Sequence, residues 1–346
     1  MAPRLARLSP AYFGLVMATG IVSIAAHQLA LDWIAQVLFA LNVAFYVALW
    51  ALNALRIAHH RREFLADIVD HARGPGFFTW VAATAVLGAQ CAILATNFRI
   101  AWALWGLAVV LWALFTYAIF AAFTVKGEKP PLDSGINGAW LLAVVATQSI
   151  AVLSSLLGLN EIAPYKRALN FLALSMWLWG GMLYVWLMAL IFYRYTFFRL
   201  APQDLTPPYW INMGAMAIST LAGSLLIVNA SGAPLLQSLL PFLRGFTIFY
   251  WATGTWWIPM LLVLGAWRYV YMRHPLRYDP VYWAAVFPLG MYAAATHEMS
   301  LAMDLAFLAW VPEIFFYAAL AAWLAAAVGL AFSLARPAAA APLRND

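Results

Sequence analysis

Ten runs of apolar residues, each long enough to cross a bilayer as a helix, follow one another between Ser9 and Leu334. A hydrocarbon core of about 30 Å needs about 20 residues at the helical rise. The runs lie at roughly 10–30, 33–56, 76–97, 100–124, 137–158, 168–193, 208–230, 245–267, 281–303 and 311–334. Turn-forming residues punctuate them: Arg73-Gly74-Pro75-Gly76, Lys129-Pro130-Pro131, Thr206-Pro207-Pro208 and Asp279-Pro280. Only 9% of the 346 residues are charged, against about 25% in a soluble domain. Such a chain cannot cover a water-facing surface, which excludes a soluble enzyme, a nucleic-acid binder and a disordered protein. The runs do not alternate apolar with polar residues, as the strands of a transmembrane β-barrel would. The expectation is an all-α polytopic protein forming a single transmembrane domain over residues 1–346.

Arg4 and Arg7 lead into the first run without a small-residue cleavage site, so that run reads as a retained helix. Ten spans place both ends of the chain on one side of the membrane. Fifteen of the 19 Lys and Arg residues then fall on that side, and only Arg99, Lys166, Arg167 and Arg244 on the other. The excess marks the cytoplasmic side, and the net charge of +6 reflects it. The partner implied by that charge is a lipid bilayer, not nucleic acid.

The links on the less basic side are short, as from Ala30 to Trp33, which predicts five antiparallel helical hairpins. No repeat of 20–50 residues stands out, although five hairpins would form a longer quasi-repeat. Small and polar residues concentrate in the odd-numbered spans: Gly14 to Ser23 in the first, Thr147, Gln148 and Ser149 in the fifth, Asn212, Ser219 and Gly223 in the seventh. The even spans are bulkier, with Trp102, Trp105 and Trp112, then Trp177, Trp179 and Trp186. Small residues let helices approach closely, so the odd helices are expected to form an inner ring wrapped by the even ones. Almost no charge lies at mid-depth in the odd spans. A passage between them would be neutral with basic mouths, which suits anions better than cations.

The single cysteine, Cys91, rules out an intramolecular disulfide. His59, His60, His71 and His274 stand among arginines, which disfavours a metal cation, and no metal or cofactor is expected. His27, His297 and Glu298 fall near the external ends of odd spans. They read either as interfacial polar groups or as a vestibule that binds and releases a proton. Arg244, after the apolar stretch Pro234–Leu243, either snorkels at the interface or draws anions to the outer mouth. Neither HExxH nor Gly-x-Ser-x-Gly occurs, which argues against a membrane-embedded enzyme.

Phe13 through Ser23, with its core Met17-Ala18-Thr19-Gly20-Ile21-Val22-Ser23, resembles the first helix of the tellurite-resistance/dicarboxylate transporter family. That family includes yeast malate and sulfite transporters and the slow-type anion channels of plant guard cells. Trp283-Ala284-Ala285-Val286-Phe287-Pro288-Leu289 resembles its ninth helix, and Phe77-Phe78-Thr79-Trp80 and Pro208-Tyr209-Trp210-Ile211-Asn212 sit where related segments would fall. The resemblance implies a homotrimer in which each protomer holds its own pore, lined by the odd helices. It also implies a phenylalanine gate, which by position is Phe287, followed by the helix-bending Pro288. In such a pore Thr19, Gly20, Ser23, Thr147, Gln148, Asn212 and Ser219 are the expected lining. The substrate would be a small anion: a C4-dicarboxylate such as malate, sulfite, tellurite or a halide. Channel and proton-coupled carrier both occur in the family and both stay open here. The high Ala, Trp and Arg content fits a bacterial inner-membrane protein with both termini cytoplasmic.

Overall fold

The computed structural model describes residues 5–161, 164–275 and 279–335 and is helical throughout. Its ten long helices are α1 (Gly14–Gln28), α2 (Asp32–His59), α3 (Phe78–Ile93), α4 (Phe98–Val125), α5 (Leu142–Leu159), α6 (Tyr165–Phe197), α7 (Ile211–Asn229), α8 (Leu240–Ala266), α9 (Trp283–Met303) and α10 (Trp310–Ala335). Among the described residues nine helical segments are long and apolar enough to cross a membrane. The remaining long helix, α9, has 21 residues and carries His297 and Glu298 toward its end, which lowers its mean apolarity. Of the basic residues in the charge census, Arg4, Arg277, Arg336 and Arg344 lie outside the described residues.

The odd helices form a closed ring: α1 packs on α3, α3 on α5, α5 on α7, α7 on α9, and α9 back on α1. Each also packs against the even helix that follows it, which makes five hairpins with the even helices outside. Burial divides the two sets. The membrane windows of α1, α3, α5 and α7 are 83–94% buried, whereas those of the even helices are 17–50% buried. The inner helices are also shorter, at 15 to 21 residues against 26 to 33. A 15-residue helix is about 22 Å long and would not span the hydrocarbon alone. Shielded from lipid by the outer ring, it does not have to.

Every inner helix is entered through a 3-10 turn: Pro10–Phe13, Gly74–Phe77, Gly138–Leu141, Pro207–Trp210 and Pro280–Tyr282. Four of the five contain proline near their start, where its fixed φ is already helical and its missing N–H would have had no partner. The quasi-repeat is therefore one whole hairpin, opened by Pro or Gly and an aromatic residue.

A cyclic set of hydrogen bonds ties each hairpin to the next. Tyr46 of α2 reaches Thr84 of α3 (3.0 Å), and since the Thr84 hydroxyl donates to the Trp80 carbonyl, Tyr46 is the donor. The Trp112 indole of α4 donates to Thr147 of α5 (2.9 Å). Trp177 of α6 donates to the Ser219 carbonyl of α7 (2.8 Å), Trp251 of α8 to Thr296 of α9 (3.0 Å), and Trp323 of α10 to Thr19 of α1 (2.9 Å). Inside a bilayer no water can replace these partners, and each such bond contributes about 0.6–2 kcal/mol.

At the basic face, cations at the ends of outer helices clasp the chain just before their own inner helix. Arg56 donates through Nε and Nη2 to the Ala6 carbonyl (3.2 and 3.0 Å), Lys126 to that of Val69 (3.2 Å), and Arg194 to that of Asp133 (2.6 Å). Arg268 donates to the Leu205 carbonyl in the same way. Arg56 is 1% exposed and shares Asp67 with Arg73, at 2.7 Å and 2.6 Å. Part of the basic excess read as a topology signal is thus internal structure.

Candidate functional site

All five inner helices run in the same direction, so their five N-terminal ends converge at the basic face. There they surround a cavity of ≈ 270 Å³. Its mouth is lined by Ser9, Arg73, Asn137, Thr206 and Asp279, which stand at or before the 3-10 turns. Its deeper wall is formed by Met17, Leu142, Ile211, Ala284 and Phe287, together with Thr79, whose hydroxyl is turned to the Pro10 and Gly76 carbonyls, so that all five inner helices contribute. The wall therefore changes from polar to apolar with depth, and Phe287, 1% exposed, is among its deepest residues.

The mouth is stiffened by side chains that cap the turns. Ser9 accepts from the Ala11 amide (3.3 Å), Asn137 from Ala139 (2.9 Å) and Asp279 from Val281 (2.9 Å). Each removes one of the unpaired amides of a helix start. The remaining amides, with the positive ends of five helix dipoles, give the cavity a positive potential that its mostly neutral lining does not cancel. Among the described residues its charged lining residues are Arg73, tied to Asp67 at 2.6 Å, and Asp279.

Five of the hydroxyls and amides expected along the passage bond to groups of the outer ring. Thr19 accepts from Trp323, Ser23 donates to the Ala35 carbonyl (2.7 Å), and Thr147 accepts from Trp112. Gln148 donates to the Trp177 carbonyl (3.0 Å) and Asn212 to the Tyr195 hydroxyl (3.3 Å). The Ser219 hydroxyl bonds back to Ala215 one turn earlier (2.7 Å). Gly20 marks a close helix contact: a Cβ there would meet Val86 at 2.5 Å and the Asn42 amide at 2.9 Å. None of these seven lines this entry cavity, which spans only the basic end of the ring as far as Met17 and Phe287. The outer helices supply both kinds of partner: indoles that donate to Thr19 and Thr147, and carbonyl or hydroxyl oxygens that accept from Ser23, Gln148 and Asn212.

Gly20→Ala separates packing from lining. The extra methyl has to displace Val86 and Asn42, and overpacking of this kind costs about 1–3 kcal/mol. The expected result is a lower melting temperature of the detergent-solubilised protein with anion selectivity unchanged. Normal stability with altered selectivity would put Gly20 back on the passage.

Pro288 stands inside α9 and packs on Gly214 of α7, where a Cβ would come within 2.8 Å of the proline ring. Phe287 next to it lines the cavity. At the opposite end of the ring His27 pairs with Asp32 across the first hairpin turn (2.7 Å), and Gln28 donates to Glu298 (2.9 Å), joining α1 to α9. His297 is half-buried and Arg244 is exposed. His27 and Glu298 are thus held by neighbours in α2 and α1, and the cavity reaches neither. Sequence reasoning missed Arg73, Thr79 and Asp279 as lining. The signal that could have found them is the Pro/Gly-plus-aromatic pattern that recurs before each odd span.

The model of the family described as SLAC1, voltage-dependent anion channel, matches residues 7–331. The chain belongs to that family. A transporter of Methanocaldococcus jannaschii without an assigned substrate is 25% identical to this SLAC1-family chain over 292 residues, 83% of each protein. A sulfite efflux pump of Arthroderma otae is 26% identical over 320 residues, covering 84% of this chain and 81% of the pump. An uncharacterized membrane protein of Mycobacterium tuberculosis is 39% identical over 153 residues, 44% of this chain and 77% of that one. Family and relatives place the chain among membrane proteins that transport anions.

Proposed function

We propose that this chain is a channel for small anions, entered through the cavity at the basic face and closed at Phe287. The observation that carries the reading is the convergence of five helix N-termini on one cavity whose deep wall is apolar. The helix ends favour anions over cations, and the lining cation Arg73 is paired with Asp67 and so does not trap them. Beyond the polar mouth, Met17 and Phe287 form a dry constriction, and an aromatic ring there blocks ions by sterics and dewetting. The basic face is cytoplasmic by the positive-inside rule, and the membrane is a bacterial inner membrane. The substrate class is a compact anion: sulfite, as in the fungal pump's name, a halide, or a C4-dicarboxylate or tellurite as the sequence resemblance implies. The same resemblance implies three such pores side by side in a homotrimer.

Anion flux into proteoliposomes, driven by a concentration gradient with and without a pH gradient, tests this. Flux that ignores the pH gradient fits a channel. Flux that requires it makes the protein a proton-coupled carrier, and the absence of chloride, sulfite and malate flux rejects the pore. The carrier reading would draw on His27, His297 and Glu298. Because His27 is engaged by Asp32 and Glu298 by Gln28, joint replacement by Gln at all three positions is expected to leave the pH dependence of flux unchanged. A flattened pH profile would reinstate the proton site.

A further inference from the structure

Three arginines close outer helices at the basic face, and two of them have a carboxylate. Asp67, 11 residues after Arg56, pairs with it at 2.7 Å. Asp204, at nearly the same offset after Arg194, lies 3.9 Å from it. Asp279 stands at the corresponding place after Arg268, but its carboxylate accepts from the Val281 amide and lines the pore cavity. Among the described residues no carboxylate forms an ion pair with Arg268. Yet Arg268 is 8% exposed, donates to the Leu205 carbonyl, and leaves its buried Nε without a partner. A guanidinium this buried without a counter-charge is costly unless an anion joins it.

The place for that anion is a separate pocket of ≈ 120 Å³ beside Arg268, between the end of α8 and the starts of α7 and α9. The chain leaves α8 through a π-helical turn, Trp267–Tyr271, a rare geometry that recurs at functional sites. Tyr269 brings its ring under the Arg268 guanidinium, 5.0 Å from centroid to Cζ, and its hydroxyl meets that of Tyr282 at 3.1 Å. Leu264 and Leu261, one and two turns deeper along α8, form the membrane-side wall. The pocket has about four times the volume of a liquid water, enough for a phosphate group and too small for acyl chains.

We propose that this pocket binds the phosphate of an anionic phospholipid from the leaflet that meets the basic face, with Arg268 as its counter-cation. Of the hydrogen-bonded pair Tyr269 and Tyr282, the hydroxyl that accepts keeps its own proton to donate to the phosphate, and the acyl chains stay in the bilayer beside Leu264. The lipid would supply the negative charge that Asp67 and Asp204 give to the other two clasps. It would fasten α8 to the start of α7, the fourth hairpin of the ring. The pocket adjoins the pore mouth, with which it shares Thr206, but its other lining residues are not those of the pore cavity, and the proposal holds whichever anion the pore passes.

The test uses the full-length protein, delipidated in detergent. Phosphatidylglycerol and inorganic phosphate are titrated separately, followed by melting temperature and by lipid copies retained in native mass spectrometry. Gly265→Trp fills the pocket from a position where a new Cβ meets nothing within 4 Å, and it leaves the Arg268–Leu205 clasp in place. Arg268→Gln removes the cation, and Arg62→Gln, at an exposed arginine of the same face, controls for general charge attraction. The expected result is stabilisation of wild type and Arg62→Gln by phosphatidylglycerol. Gly265→Trp and Arg268→Gln should bind it at least tenfold more weakly. Equal stabilisation of wild type and Gly265→Trp would overturn the proposal. So would inorganic phosphate protecting as well as the lipid, which would make this a site for free anions.

Discussion

Phe287→Ala is expected to raise anion flux through the reconstituted protein by at least about tenfold, equivalent to ~1.4 kcal/mol off the barrier. The ring is 1% exposed and lies with Met17 among the deepest residues of the entry cavity. Removing it both widens the constriction and lowers the cost of wetting it, because the backbone behind the ring is polar. The substitution also leaves a hole among tightly packed inner helices, which for a buried phenylalanine costs about 3–5 kcal/mol. Flux therefore has to be compared at matched amounts of folded protein, judged by gel filtration and thermal melting. Phe287→Leu, which keeps most of the apolar volume, should stay closed or nearly so. Folded Phe287→Ala with wild-type flux would remove Phe287 as the gate and place the barrier elsewhere.

The second large effect is on stability. Asp67→Ala is expected to destabilise the protein by about 3–5 kcal/mol, because it strands a buried charge. Asp67 is the carboxylate partner of Arg56, which is 1% exposed, and it also holds Arg73 at the cavity mouth. Without Asp67, Arg56 keeps the Ala6 carbonyl but loses its counter-charge. The double replacement Arg56→Met, Asp67→Leu should recover much of the loss, since removing both charges is often near neutral. Thermal denaturation of the single and double variants decides the matter. A single variant that melts with wild type would show that Arg56 finds another partner or never needed one.

Much of this architecture is legible before any coordinates. The number of long helices and their pairing as hairpins follow from run length and short turns, because a bilayer demands about 20 apolar residues per crossing. The separation into inner odd and outer even helices also follows, since only small residues such as Gly14 and Gly20 allow close approach while Trp112 and Trp177 do not. Helix ends were read less well. Helix α6 runs from Tyr165 to Phe197, beyond the expected 168–193, because its final turns are held by Arg194 bonding the Asp133 carbonyl. Such a partner cannot be seen from local apolarity.

Sequence alone determined that the chain is a helical membrane protein of five hairpins with a neutral inner ring, because apolarity and side-chain size act locally along each helix. Which face of an inner helix looks into the passage was decided by tertiary structure. Thr19 and Thr147 accept from the indoles of Trp323 and Trp112 in the outer ring, and Gln148 donates to the Trp177 backbone carbonyl. At the basic end of the ring it is the apolar Met17 and Phe287 that line the entry cavity. A buried hydroxyl or amide takes the partner that fixed geometry offers it, and that partner comes from another hairpin, far away in the sequence.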